Sequence, residues 1–222
     1  EARGHTVTLV AQLTYKLNAL TCPLVLKGEG YAHLLTGLKE AAGDLKYTAG
    51  GVISKRLFRY AYYEASFKVP PGAGWHTSFW VLRNGGKGDE PRVEIDICEN
   101  DSVKLGDYGI NHHQWTPLPH VAMGGKHVKT PDLSAAFHVW GCEFTPTTLR
   151  HYFDGKLVHS FDATKLRHGD GTVWLTTIAA GLGGTKAVDD QRLPAYAEFE
   201  YVRVFLPAAA PSPAKPAEAA GK

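Results

Sequence analysis

The chain has 222 residues, enough for one large domain with a substantial buried core. Its formal net charge is only +2 and its basic residues are dispersed, so we expect neither nucleic acid nor an anionic membrane as a partner. No apolar run is long enough to cross a membrane. The three cysteines, Cys22, Cys98 and Cys142, fit neither a disulfide framework nor a zinc-ligand spacing, and at least one of them must be unpaired within the chain.

Strand patterns dominate the sequence from residue 60 onwards. Tyr60 to Val69 alternates between two faces, and a Pro-Pro-Gly turn ends it. Asp154-Gly155 separates two later runs, which predicts a hairpin with a type I′ turn. The remaining predicted strands are Ser78 to Leu82, Phe137 to Phe144, Leu149 to Phe153, Lys156 to Phe161, Val173 to Ile178 and Ala197 to Leu206. Helical periodicity is nearly absent, so the fold class predicted is all-β, a sandwich of two antiparallel sheets.

The last segment differs in composition from everything before it. Residues 207 to 222 are nearly all Pro, Ala, Lys and Glu, and they cannot bury enough apolar surface to fold. We therefore predict one domain over residues 1–206, followed by a linker towards a further module or by a disordered tail. Within the domain no repeat is evident, and a monomer is expected.

The segment from Arg92 to Asn100 carries the strongest chemical signal. It has the β-branched residues of a strand, yet it contains the three acids Glu94, Asp96 and Glu99. Strict alternation would turn Glu99 away from Glu94 and into the apolar interior, where an unpaired carboxylate is costly. One extra residue, a β-bulge at Ile97-Cys98, would return Glu99 to the face of the other two acids. The sequence therefore predicts three carboxylates on one open face.

Three carboxylates so placed suit the hydrolysis of a glycosidic bond. One carboxyl group can attack the anomeric carbon while a second protonates the leaving oxygen. Mutual repulsion keeps a proton on one member of the cluster for the acid role. The alternative from the residues alone is a solvated acidic strand face or a calcium site.

The same segment resembles the E-x-D-x-x-E signature of glycoside hydrolase family 16, in the bulged form of laminarinases, agarases and carrageenases. The resemblance extends in the right order over roughly residues 24 to 206 of the chain. Its further landmarks are Tyr47 to Lys55, Phe58 to Ala65, Ser78 to Leu82, Phe137 to Pro146, Tyr152 to Gly155 and Tyr201 to Val204.

The resemblance implies a β-jelly roll with an open cleft across its concave sheet. It also implies that Glu94 is the nucleophile, Asp96 a helper and Glu99 the general acid/base of a retaining endo-hydrolase. No cofactor is then required, and a secreted protein, extracellular or periplasmic, is expected. Glu200 stands where the family often has an aspartate that holds a structural calcium, so a metal is not predicted.

The expected substrate is a polysaccharide, and the sequence leaves its identity open. Laminarinases usually carry a Trp-Pro pair shortly before the Phe-Trp of the cleft strand, where this chain has the segment Gly74 to Trp80. They also tend to have a tryptophan a few residues before the nucleophile, where it has Asp89 to Arg92. A β-1,3-containing glucan is slightly favoured over a β-galactan of agar, porphyran, carrageenan or mucin type. A non-catalytic glycan-recognition domain is a third alternative, although such proteins are expected to lose one of the acids, and all three are present.

Four further residues are candidates for substrate binding. Trp75 follows a Gly-rich turn and could form a cleft wall, and Trp80 lies in the strand before the acids. His113 and Trp115 follow the acidic strand, and the competing interpretation is a core tryptophan with a hydrogen-bonded histidine. His112 and His113 point to opposite faces of a strand, so they are not a chelating pair. Two other tryptophans, Trp140 and Trp174, are predicted to be buried.

Overall fold

The computed structural model describes residues 50–83, 90–179, 188–193 and 195–207, and the backbone of residues 9–12. Over these ranges the chain forms twelve strands and two short 3₁₀ turns, at Ala163–Lys165 and Asp190–Arg192. The strands are β1 (Leu9–Gln12), β2 (Gly50–Ile53), β3 (Ala61–Lys68), β4 (Trp75–Leu82), β5 (Arg92–Asp101), β6 (Asp107–Thr116), β7 (Val121–Lys129), β8 (His138–Phe144), β9 (Thr148–Phe153), β10 (Lys156–Asp162), β11 (Thr172–Ala179) and β12 (Tyr196–Phe205).

The strands form two six-stranded sheets. The first has the order β1-β12-β3-β8-β9-β10 and the second the order β2-β11-β4-β5-β6-β7. All of the pairings are antiparallel. The all-β sandwich predicted from the sequence is therefore confirmed. No helix among the described residues is long and apolar enough to span a membrane.

The core lies between the two sheets and follows the alternation along each strand. In β3, Tyr63, Ala65 and Phe67 are completely buried, and Phe67 stacks on Trp140 of β8 with ring centroids 3.9 Å apart. Ile95 of β5 contributes to the same cluster from the second sheet. Each large apolar side chain so buried stabilises the fold by roughly 1.5–3 kcal/mol. The second sheet therefore packs one face against the core, and its other face can carry polar side chains.

The hairpin between β9 and β10 has the predicted turn. Asp154 and Gly155 adopt φ angles of 47° and 73°. These angles lie in the left-handed region that a type I′ turn requires at both central positions. The Asp154 carboxylate also accepts a hydrogen bond from the Val139 N–H at 2.9 Å and lies 2.8 Å from His138 Nδ1.

Some predictions differ from the structure or lie beyond the residues it describes. The strand predicted over Ser78 to Leu82 begins three residues earlier, at Trp75. Strand β7 was not predicted, and its side chains are mostly exposed. Cys22, Tyr47 to Ala49 and nearly all of the Pro- and Ala-rich tail lie outside the described residues.

Two histidines are buried between the sheets. His112 and His151 approach through their Nε2 atoms at 2.9 Å, and His112 Nδ1 lies 3.2 Å from the Met123 carbonyl oxygen. A carbonyl only accepts, so Nδ1 of His112 carries its proton and its Nε2 accepts from His151. Burial lowers the pKa of His112 to about 4 and that of His151 well below its usual value. Both rings are therefore neutral at pH 7.

This neutral pair predicts that acid destabilises the fold. Between about pH 6.5 and pH 4 an unfolded histidine binds a proton while folded His112 does not, so the free energy of unfolding falls as the pH falls. The shift at His112 alone corresponds to about 3 kcal/mol at the acid end of this window. Urea unfolding at pH 7, 6, 5 and 4 measures the effect. A His151→Gln variant should lose part of the pH dependence, and a wild-type free energy that stays constant down to pH 4.5 would contradict it.

Candidate active site

The predicted β-bulge is present in β5. Phe79 of β4 pairs with Cys98 and the next residue, Trp80, pairs with Asp96, so Ile97 has no partner on β4. Ile97 and Cys98 are consecutive, yet both are buried in the core. The extra residue thus changes the phase of the strand, as the cost of burying an unpaired carboxylate had indicated.

The bulge gathers the three acids on the outer face of the second sheet, here called the cleft face. This face carries His76, Ser78 and Trp80 of β4, Glu94, Asp96 and Glu99 of β5, and Asn111, His113 and Trp115 of β6. Along β6, the partner of Glu94 is His113, that of Asp96 is Asn111 and that of Glu99 is Gly109. Glu94 and Glu99 are half-buried, whereas Asp96 between them is 3% exposed.

Glu94 is held by Trp115. The indole N–H donates to Glu94 Oε2 at 2.7 Å. The Trp115 ring is itself stacked on His120 at 4.0 Å between centroids, so its position is fixed from one side. This hydrogen bond fixes the orientation of the Glu94 carboxylate. The structure thus brings Trp115 to the acids, where it contacts Glu94 directly.

Asp96 is the most buried acid of the cluster. Burial raises the pKa of Asp96 well above its usual value, and the negative charges of Glu99 and Glu94 raise it further, with a hydrogen bond to Glu94. Its Oδ2 lies 3.3 Å from His113 Nε2 without a well-aligned hydrogen bond. A proton resident on Asp96 can be donated to a Glu94 oxygen as a hydrogen bond.

Glu99 faces a histidine that the sequence analysis did not single out. His76 Nε2 lies 3.5 Å from Glu99 Oε1, and His76 Nδ1 lies 2.8 Å from Asp101 Oδ1. His76 is only 6% exposed. Alternation along β4 could have found it, because His76 shares a face with Ser78 and Trp80 once the strand is begun at Trp75.

The other two tryptophan candidates differ in position. Trp80 is half-buried on the cleft face beside Asp96, and its ring stacks on Trp174 with centroids 4.7 Å apart. Trp174 is buried as predicted, but it lies against Trp80 on this face. Trp75 is 2% exposed and packs with Val188 in a small cluster of its own. The expectation that Trp75 forms a cleft wall is therefore wrong, because strand parity turns its ring away from the acids.

Of the described residues, one set has the spacing to hold a metal ion. Ligand atoms of Glu94, Asp96 and His113 all lie within 4.8 Å of one another. Trp115 already occupies one oxygen of Glu94, and a proton on Asp96 would compete with a cation. The arrangement suits a hydrogen-bonded acid cluster that divides its charge unequally, with ionised and protonated carboxyl groups side by side.

The chain is similar in sequence or in fold to several known proteins. A β-glucanase of Acetivibrio thermocellus is 29% identical over 184 residues, which cover 78% of this chain and 50% of that protein. The laminarinase catalytic domain of Thermotoga maritima shares the fold with a TM-score of 0.70 at 20% identity, covering 90% of this chain and 78% of the other. A structure reported with endo-acting O-glycanases of the human gut microbiota has a TM-score of 0.71 at 23% identity, covering 89% and 73%.

These two structures share the fold of this chain, a jelly-roll sandwich of two antiparallel sheets. The model of glycosyl hydrolases family 16 matches residues 11–182, most of the chain, and the chain belongs to this family. It spans about half the length of the Acetivibrio β-glucanase that it matches.

Proposed function

We propose that this domain is a retaining endo-glycosidase that cleaves internal β-linkages of a polysaccharide, with Glu94 as nucleophile and Glu99 as general acid/base. The observation that carries the proposal is the bulge at Ile97, which places two half-buried carboxylates on one face of one strand. Asp96 lies between the two groups on the same face. Retaining hydrolysis needs such a close pair, about 5–5.5 Å apart, so that one group attacks while the other donates a proton.

The two half-reactions assign a role to each contact. In the first step Glu94 bonds to the anomeric carbon, and Glu99 gives its proton to the departing oxygen. In the second step water attacks that carbon, Glu99 takes the water proton, and Glu94 leaves as a carboxylate. Trp115 and Asp96 both stabilise the negative charge that returns to Glu94. No cofactor is needed in either step.

The substrate that we propose is a β-1,3-containing glucan, either laminarin-like or mixed-linkage. Relatives named β-glucanase support it, as does the family. Beyond Glu99 the cleft face continues into a pocket of about 410 Å³ that His76, Asn111 and Lys126 help to line. A pocket on the acid side gives room for the sugar units of a leaving group, as cleavage within a chain requires. Since a polysaccharide does not cross membranes, we further propose that the protein acts outside the cell or in the periplasm.

A β-galactan or mucin-type glycan is the second candidate. His76 places an ionisable group in the pocket wall beside Glu99. The fold shared with the O-glycanase structure is consistent with this alternative, which changes the substrate and leaves the roles of the acids unchanged.

Product analysis on matched polymers tests the proposal. We expect laminarin or mixed-linkage glucan to give short oligosaccharides from the first minutes, with a rapid fall in polymer size that only internal cleavage produces. Agarose, porphyran and mucin O-glycans are incubated in parallel, each with a Glu94→Gln control to exclude contaminating enzymes. Cleavage of a galactan without cleavage of either glucan would overturn the preferred substrate. No cleavage of any polymer, with binding retained, would favour the glycan-recognition alternative.

A further inference from the structure

Glu94, Asp96 and Glu99 form a row on the cleft face, here called the acid row. The pair formed by His76 and Asp101 lies beside Glu99, at the end of this row where the leaving group would bind. His76 projects from β4 and both carboxylates from β5, so neighbouring strands fix all three groups. The Nδ1 atom contacts Asp101 at 2.8 Å and the Nε2 atom faces Glu99 at 3.5 Å. Asp101 thus fixes the orientation of the imidazole through one nitrogen, and the other nitrogen faces Glu99.

The tautomer of this ring follows from its partners. An ionised Asp101 only accepts hydrogen bonds, so Nδ1 of His76 carries a proton. A second proton, on Nε2, makes the ring a cation that points at Glu99. Without that second proton, Nε2 can only accept a hydrogen bond, and Glu99 must be protonated to donate one. The charge state of His76 and the protonation of Glu99 are therefore coupled.

We propose that His76, held by Asp101, is a positioning residue that orients the Glu99 carboxyl and favours its ionised form, thereby setting the upper pH limit of the leaving-group step. This inference rests on the proposed role of Glu99 as general acid. Burial alone would lower the pKa of His76, but hydrogen bonds and charge interactions with Glu99 and Asp101 outweigh burial and raise it. A raised pKa extends the cationic form of the ring to higher pH.

The other charged groups around this site do not duplicate His76. On β5, Glu94 and Asp96 precede Glu99 on the cleft face, and neither of them is a cation. Across the pocket on β7, Lys126 donates to the Val158 carbonyl oxygen at 2.7 Å, and His127 lies 2.6 Å from Asp107. Strand β11, which pairs with β4, has no titratable residue. Among the described residues, His76 is thus the cationic group in contact with Glu99.

The test is the pH dependence of kcat/KM for wild type and His76→Gln. Glutamine keeps a donor at the position of Nε2 but carries no charge. The alkaline limb reports loss of the acid proton in the free enzyme, so it should move to higher pH by about one unit when the cation is removed. Asp101→Asn should move it in the same direction by less, because the ring remains but is less readily protonated.

A matched control separates this effect from a loss of packing. His138 is a second buried histidine, 9% exposed, that pairs with an aspartate at 2.8 Å in the other sheet. His138→Gln should lower the melting temperature without moving the limb. An alkaline limb that stays in place in His76→Gln, or moves to lower pH, would overturn the inference. The proposed function would fail separately, by wild type showing no turnover or by Glu94→Gln keeping it.

Discussion

Replacement of Glu94 by glutamine is expected to abolish turnover, by about four orders of magnitude or more, as loss of a covalent nucleophile does in other enzymes. An amide cannot form the glycosyl ester, whereas its oxygen can still accept the Trp115 N–H. Glu94 is half-buried on the cleft face and contributes little to the core, so the fold should persist. Release of reducing ends measures the activity, and thermal unfolding measures the fold.

Glu143→Gln is the matched control for this substitution. Glu143 is a half-exposed strand glutamate in the first sheet, where it pairs with Arg150 at 2.8 Å. Its replacement should leave kcat within about twofold of wild type, since exposed ion pairs contribute little. A Glu94→Gln enzyme that turned over at a similar rate to this control would remove Glu94 from the mechanism.

Glu99→Ala is expected to distinguish between substrates. On a polysaccharide the departing sugar oxygen is a poor leaving group, and loss of the general acid should cost about 100- to 10,000-fold. On an aryl glycoside with an acidic phenol, bond cleavage hardly needs a proton, so that rate should fall far less. The ratio of the two losses is the measurement, taken on the same preparation.

The ratio of the two activity losses distinguishes a general acid from a residue that only binds substrate. A binding residue would affect both substrates to the same degree, mainly through KM. Equal losses on polymer and aryl glycoside would therefore contradict the assignment of Glu99, and they would also remove the basis of the inference about His76.

The strands that the sequence predicted correctly are those with one face in the core. Along β3, for example, alternation survives because every second side chain packs between the sheets. Strand β7 lies at the edge of the second sheet and is mostly exposed on both faces, so its sequence keeps no such alternation. Its two glycines and two lysines suit an edge strand rather than a core strand, so hydrophobic periodicity could not reveal β7.

The acid row was predictable because a wrong phase would have carried a large energetic cost. Burying Glu99 in the apolar interior is so unfavourable that a bulge at Ile97-Cys98 followed from the residues alone. The surrounding partners were not predictable to the same degree. Trp75 was misplaced and His76 was missed for one reason: β4 begins three residues before its apolar run, and strand ends are where side-chain pattern is weakest.

The stereochemistry of azide rescue tests the central claim most directly. Glu94→Ala and Glu99→Ala are each incubated with an aryl β-glycoside of the preferred sugar and with azide, and proton NMR gives the anomeric configuration of the glycosyl azide. If Glu94 is the nucleophile, azide replaces it in one inversion, so the product from Glu94→Ala is the α-azide. If Glu99 is the acid/base, azide attacks the intermediate on Glu94, so the product from Glu99→Ala is the β-azide. A β-azide from the Glu94 variant would contradict the assignment of the two carboxylates.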